Sequence, residues 1–98
     1  MKDKIDQEIN VGDYIIYGHA LGRCSGLRIG KVLNLKTDVD GFNRPIYRIT
    51  VWGIDDDWQN YTPQLLNKKS TLLYPNRCVV VDKSKFSQKY LDLFDQIP

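Results

Sequence analysis

The chain has 98 residues, which is enough for one small domain with a single modest core. Its hydrophobic content of 42% and aromatic content of 11% are typical of a globular protein and exclude a fully disordered one. The net charge of +2 is smaller than the basic excess of dedicated nucleic-acid-binding domains.

No targeting segment or metal motif is evident. Residues 1–10 alternate in charge, and no apolar run approaches the roughly 20 residues that span a bilayer, so we expect a cytoplasmic protein without membrane contact. Cys24, Cys78 and the single histidine, His19, match no zinc-binding spacing. No metal and no cofactor are predicted.

Charge is segregated along the chain. The 24 residues from 14 to 37 contain no acidic side chain and have a glycine at every fourth position from Gly18 to Gly30. The cations of this stretch are Arg23, Arg28, Lys31 and Lys36. Since the rest of the chain is net acidic, this separation indicates a surface that meets a charged partner.

The N-terminal half predicts two strands separated by a loop. Residues 1–10 form a polar lead-in, and the β-branched and aromatic run Tyr14–Tyr17 is typical of a strand. The glycine-rich segment Gly18–Gly26 lacks apolar periodicity and predicts a long loop. The second strand is expected over Leu27–Lys36, with a bulge at Gly30 that accounts for its imperfect alternation.

The third strand has the clearest alternation of the chain. It follows a turn at Asp40–Gly41 and begins at Pro45, where a missing N–H does least harm. The apolar side chains expected on one of its faces are Tyr47, Ile49 and Val51. A second long loop is expected over Gly53–Asn67.

The C-terminal part predicts a short element, a last strand and a helix. The short element is Thr71–Tyr74, and Cys78–Val81 is expected to be a strand buried on both faces because it shows no alternation. Apolar residues then recur at helical spacing through residues 83–98. This segment predicts an amphipathic helix, capped by Asp82 or Ser84, that packs against the sheet.

Four segments share the order of elements of a known fold class: Val11–Ile15, Ile29–Val32, Tyr47–Val51 and Tyr74–Val81. This order resembles that of a small SH3-like barrel of the KOW or Tudor kind, over about residues 11–82. The resemblance implies a mainly β fold, a five-stranded half-open barrel with a short C-terminal α-helix over 83–98. The compact chain also resembles accessory proteins encoded by bacteriophages.

The first functional hypothesis is a protein-binding surface. The residues that suggest it are Trp52, Asp55, Asp56, Asp57, Trp58 and Tyr61. Aromatic side chains are enriched at interface hot spots, and an acidic rim selects a basic partner. The alternative is that one tryptophan belongs to the core. The hypothesis describes a non-enzymatic module that regulates or inhibits a larger cytosolic machine.

The second hypothesis is binding of nucleic acid through its phosphate backbone. The candidate residues are His19, Arg23, Arg28, Lys31, Lys36 and Arg48. A third hypothesis is a small phosphorylated ligand, held by backbone N–H groups of the glycine-rich loop. The segment Gly26–Val32 does not match a Walker phosphate loop, because the spacing between its glycines is too short and Val32 follows the lysine.

An enzyme is not predicted. His19 has no nucleophile partner in the sequence pattern, so no nucleophile, base and orienting group can be assembled. The three consecutive aspartates point in different directions and lack the spacing of a calcium loop.

Overall fold

The structure, a computed structural model, describes residues 1–21, 24–55 and 62–97. These residues form a mainly β fold with one open antiparallel sheet and one short C-terminal helix. The strands are β1 Tyr14–Leu21, β2 Cys24–Val39, β3 Pro45–Asp55, β4 Gln64–Leu65, β5 Ser70–Leu72 and β6 Cys78–Val81, and the helix is α1 Gln88–Phe94. The order is β4-β3-β2-β1-β6, and β5 pairs with β3.

β1 and β2 form a long hairpin where the sequence predicts a loop. Their antiparallel ladder continues to Leu21 opposite Cys24. The loop expected over Gly18–Gly26 is therefore wrong, apart from Gly22 and Arg23, which lie outside the described residues. Cross-strand pairing overrides the low strand propensity of glycine here, which a local pattern cannot show.

The bulge of β2 lies at Leu33 and not at Gly30. The register between β2 and β3 shifts between Val32 and Asn34, so Leu33 is the inserted residue. Gly30 stays in register directly opposite Gly53. The expected bulge at Gly30 is therefore wrong, and a bulge does not explain why a glycine occupies position 30.

β3 begins at Pro45, as predicted, and its expected alternation is confirmed. Ile49 and Val51 are fully buried, whereas Arg48, which directly precedes Ile49, is exposed. The second loop begins later than predicted, because β3 continues to Asp55 and pairs there with β4. Residues 56–61 lie outside the described residues.

The sheet separates two hydrophobic clusters. Alternation along the strands places Ile15 and Val51 on one face and Tyr14 and Trp52 on the other. The buried residues of the first cluster are Ile9, Ile15, Tyr17, Val32, Ile49, Val51 and Cys78. Those of the second are Ile54, Phe94 and Ile97. The second cluster is the one that α1 covers.

The C-terminal segment packs against the sheet as predicted, but its regular helix is shorter. A 3-10 turn over Lys83–Lys85 comes first, and the Asp82 carboxylate accepts a hydrogen bond of 2.9 Å from the Ser84 N–H at its start. Asp82 thus caps this turn and not α1. Phe94 anchors the helix, with its ring centroid 4.7 Å from that of Tyr14.

Residues 1–10 are integrated into the fold and are not a peripheral lead-in. Ile9 lies in the first cluster, and Asp3 is only 4% exposed. The Lys4 N–H donates to the Cys78 carbonyl at 2.9 Å, so this segment lies along the outer edge of β6. β6 is half-buried beyond Cys78, whereas the sequence predicted burial on both faces.

Candidate functional site

Of the predicted aromatic and acidic surface, Trp52 and Asp55 lie in the part of the chain that the structure describes. Trp52 packs in the second cluster, and its indole Nε1 donates to the Leu66 carbonyl at 2.7 Å. The Lys69 ammonium lies 5.8 Å from the centroid of the Trp52 ring. These contacts give Trp52 a packing role.

The other members of that predicted surface are placed only in part. Asp55 is half-buried at the end of β3, opposite Gln64 of β4. The rest, Asp56, Asp57, Trp58 and Tyr61, lie outside the described residues.

The predicted basic set is divided between the two faces of the sheet. The register places Lys31 opposite Trp52 and Lys36 opposite Arg48, so these cations share the face that carries α1. Arg28 pairs with Tyr17 and lies on the other face, which alternation along β1 also assigns to His19. Arg23 lies outside the described residues.

The concave anion site expected at the glycine-rich segment is not seen in the described residues. Gly18, Gly26 and Gly30 lie in the β1–β2 ladder, opposite Leu27, His19 and Ile15. Backbone N–H groups in a two-stranded ladder alternate in direction and do not converge on one point.

Two tyrosine and two proline residues border a groove of about 520 Å³ on another part of the surface, and one of each, Tyr74 and Pro45, is exposed. We call it the aromatic groove, and it is lined by Met1, Lys2, Pro45, Tyr47, Leu73, Tyr74, Pro75 and Asn76. Tyr74 is 59% exposed and Leu73 is 46% exposed. The Arg77 guanidinium stacks on the Tyr74 ring, 5.0 Å from its centroid.

Local structure fixes the position of Tyr74 in this groove. Pro75 begins a 3-10 turn that ends at Arg77, and the Arg77 N–H donates to the Tyr74 carbonyl at 3.0 Å. This turn directs the chain from β5 into β6. Tyr74 is the extended residue before the turn, where its side chain remains on the surface.

A second, smaller depression of about 230 Å³ adjoins the aromatic groove. We call it the edge depression, and its lining residues are Gly18, Thr71, Leu72, Leu73, Tyr74 and Arg77. Leu73 and Tyr74 line both spaces and therefore form the ridge between them.

The sequence-based reading missed the aromatic groove. The sequence predicts only a short element over Thr71–Tyr74 and places Tyr47 on the same face of its strand as Ile49 and Val51. Only the pairing of β5 with β3 brings these two segments together. The signal that the sequence offers for this groove is a tyrosine next to a proline among polar residues. This signal is weak unless the pairing of β5 with β3 is known.

The β2–β3 hairpin carries another exposed aromatic side chain. Phe42 is 80% exposed at its tip, and the Arg44 guanidinium lies 5.1 Å from the ring centroid. The Asp40 carboxylate accepts hydrogen bonds from the Phe42 and Arg44 N–H groups at 2.8 and 3.0 Å. Asn43 adopts the positive φ of this turn, 60°, which the sequence assigned to the Asp40–Gly41 pair.

Cys78 behaves as a core residue. Its thiol donates to the Pro75 carbonyl at 3.3 Å, and burial, followed by the Asp3 charge, raises the pKa of Cys78 to about 11. A thiol in this state is neutral at physiological pH and is a poor nucleophile.

Among the described residues, no group of three or more His, Cys, Asp or Glu side chains is arranged to hold a metal ion. Within the same part of the chain, no helix combines the length and apolar character needed to cross a membrane. Comparison with protein-family models, curated proteins and solved structures found no match.

Proposed function

We propose that this protein is a non-enzymatic binding module that captures an extended segment of a partner protein in the aromatic groove. The observation that supports it is the exposure of Tyr74 and Leu73 beside Pro45 and Pro75. Large apolar side chains that the fold leaves on the surface around one concave space are typical of protein-binding sites. Proline next to tyrosine also keeps such a surface rigid, which limits the entropy lost on binding.

The charge around the groove selects the chemistry of the partner. Arg77 borders the groove and Lys2 lines it, with the Lys2 ammonium ion-paired to the Glu8 carboxylate at 3.3 Å, whereas no acidic side chain of the described residues belongs to the lining. Complementary charge favours a segment that carries carboxylates. The partner inferred here is acidic, in contrast to the basic partner suggested by the aspartates of residues 55–57.

We further propose that this binding serves to regulate or inhibit a larger cytosolic machine. The reason is size: the chain has 98 residues, and the aromatic groove and the edge depression are both small. A module of this kind changes the behaviour of its partner by occupying a surface.

The first prediction tests the groove with a defined probe. The probe is a synthetic peptide with alternating Glu and Val, of about ten residues, the upper length of a typical strand. We expect it to shift the backbone amide NMR signals of residues 73–77. Tyr74→Ala should raise the dissociation constant of the peptide about tenfold or more, as expected for an interface aromatic side chain.

The matched control is Phe42→Ala, since Phe42 is also an exposed aromatic residue but does not line the groove. It should leave the affinity unchanged. A peptide in which Lys replaces Glu should bind more weakly. The proposal fails if neither peptide shifts the signals of residues 73–77, or if both alanine variants bind the Glu peptide as the unmodified protein does.

Nucleic-acid binding is the second candidate, and one observation favours it. Lys36 and Arg48 are both exposed and lie directly opposite each other on neighbouring strands. Like charges in this position repel, which costs a fraction of a kcal/mol. A phosphate group between them would remove that repulsion.

The second prediction concerns this pair. If the candidate is correct, a random single-stranded oligonucleotide binds at low salt, and log K falls with log salt in proportion to the phosphates contacted. Lys36→Glu together with Arg48→Glu should then reduce the magnitude of the slope by about 1 to 2. Binding with an unchanged slope in the double variant would exclude this pair as the contact, and no binding at low salt would remove the candidate.

A further inference from the structure

We propose that the captured segment adds to the sheet as an extra β-strand along the outer edge of β5. This inference rests on the function proposed for the aromatic groove and names the geometry in which its ligand binds. The extended segment would pair by backbone hydrogen bonds with β5 in the edge depression, while alternate side chains contact the ridge of Leu73 and Tyr74.

The outer edges of β6 and β5 differ, and the difference indicates which of these two can accept a strand. The outer edge of β6 is occupied by the N-terminal segment. The Val80 N–H donates to the Asp3 carboxylate at 2.7 Å, and the Gln7 side-chain amide donates to the Val80 carbonyl at 3.0 Å. With the Lys4 N–H bonded to Cys78, this edge presents few groups to another chain.

The edge of β5 is not covered in this way. Within residues 1–21, 24–55 and 62–97, β5 pairs with β3 alone. In an antiparallel strand, the backbone groups that do not face the paired neighbour point to the other side. The outer side of β5 therefore presents N–H and C=O groups to the edge depression.

The wall opposite β5 is open to a backbone. The ladder between β1 and β6 ends at Tyr17, whereas β1 continues to Leu21. Gly18, the first residue beyond that ladder, lines the edge depression. A Cβ atom placed on Gly18 would meet none of the described atoms within 4 Å, so there is open space at this position of the wall.

Charge along the edge agrees with an acidic strand. Arg77 lines the edge depression beyond one end of β5, and Lys68 lies two residues before its other end, whereas the Lys69 ammonium lies against the Trp52 ring. Among the described residues, the lining of this depression includes no carboxylate. The same cations argue against a second copy of the chain, because two such edges would repel each other.

The chemistry of the segment follows from the period of a strand. Successive side chains point to opposite sides, so every second residue would contact Leu73 and Tyr74. The remaining side chains would lie near Lys68 and Arg77. The ligand class is therefore an extended segment in which acidic and apolar residues alternate, supplied by a different protein.

The test compares three forms of the Glu–Val peptide by calorimetry and amide NMR. One is unmodified, one carries N-methyl groups on every second residue, and one carries them on the intervening residues. In strand addition, one set of N–H groups faces β5 and the other faces away. We expect one methylated peptide to lose about tenfold or more in affinity, and the other to bind as the unmodified one does.

The outcomes separate this inference from the function on which it rests. If all three peptides bind with equal affinity and shift the signals of residues 73–77, the groove binds peptides but strand addition is wrong. If no form binds, the proposed function is wrong as well. Amide hydrogen exchange at residues 70–72 should also slow on binding of the unmodified peptide, and unchanged exchange would contradict the pairing. Self-association of the protein at the same concentration, seen by sedimentation, would overturn the choice of a different protein as partner.

Discussion

Asp3→Asn is expected to destabilise the fold by about 2–4 kcal/mol, because charge-assisted hydrogen bonds contribute about 1.5–3 kcal/mol each and a buried donor loses its acceptor. The Asp3 carboxylate accepts from the Ile5 and Gln7 N–H groups at 3.0 and 2.8 Å. It also accepts from the Gln7 side-chain amide at 2.9 Å and from the Val80 N–H at 2.7 Å. Asparagine keeps the shape, but its NH₂ group replaces one oxygen and therefore faces the two donors from which that oxygen accepts.

Urea denaturation measures this effect. The midpoint should fall while the slope with urea stays the same, since the surface exposed on unfolding is little changed. Asp82→Asn is the matched control, because Asp82 is also a capping carboxylate but is exposed and accepts from the nearby Ser84 N–H. It should cost clearly less stability than Asp3→Asn, because an exposed cap can exchange its hydrogen bond for one with water. Equal losses in the two variants would contradict a special role for Asp3.

The same site predicts a dependence on pH. Burial raises the pKa of Asp3, but hydrogen bonds from the Val80, Gln7 and Ile5 N–H groups lower it more, so it lies below the ordinary value of 3.8. A carboxyl whose pKa is lower in the folded state stabilises the fold above the unfolded pKa. That stability is lost as the pH falls below about 4 and through the folded pKa. Asp3→Asn should therefore lose less stability between about pH 7 and pH 2 than the unmodified protein, and an equal loss would contradict the assignment.

Asp3 also shows what the sequence could not predict. Its partner Val80 is 77 residues away, and nothing in a run of alternating charges indicates that one carboxylate caps a distant strand. The sequence did predict the start of β3, the bounds of β6 and the docking of the C-terminal segment. In each of these, the signal is local: a proline, an apolar run or a helical period.

The failures have the same physical origin. The β1–β2 hairpin depends on pairing, which rescues glycines that favour a loop when considered alone. The aromatic groove depends on β5 lying beside β3, which brings Tyr47 and Tyr74 to one space. For Trp52 the sequence left both a surface and a core position open, and the docking of α1 on its face of the strand decides for a packed one.

The second large effect is expected at the glycine pair of β2 and β3. Gly30 and Gly53 lie directly opposite each other, and the Tyr17 side chain crosses both. A Cβ atom on Gly30 would lie 2.6 Å from Val51 Cγ2 and 2.9 Å from the Trp52 carbonyl oxygen. One on Gly53 would overlap the Tyr17 hydroxyl. These glycines are therefore required by close packing against an aromatic ring and not by a turn or bulge.

Gly30→Ala and Gly53→Ala are each expected to destabilise the fold by about 1–3 kcal/mol, the usual cost of an overpacked core. Gly18→Ala is the matched control, because Gly18 lies in β1 with nothing within 4 Å of its added Cβ atom. It should be neutral or slightly stabilising, since alanine reduces the entropy of the unfolded chain. Urea denaturation of the three variants makes the comparison, and a loss in Gly18→Ala equal to the others would contradict the packing argument.

Tyr17→Phe separates the two glycines further. The contact of Gly53 is with the hydroxyl, so removing that oxygen should recover part of the loss in Gly53→Ala. An added Cβ atom on Gly30 meets Val51, a backbone carbonyl and, at 3.1 Å, the Tyr17 ring carbon Cε1. Tyr17→Phe should therefore recover little of the stability lost in Gly30→Ala. A double-mutant cycle should give a coupling energy of about 0.5–3 kcal/mol for Tyr17 with Gly53 and a smaller one with Gly30. Equal coupling would mean that the ring shifts as a whole, and the hydroxyl would then not be the atom that requires a glycine at position 53.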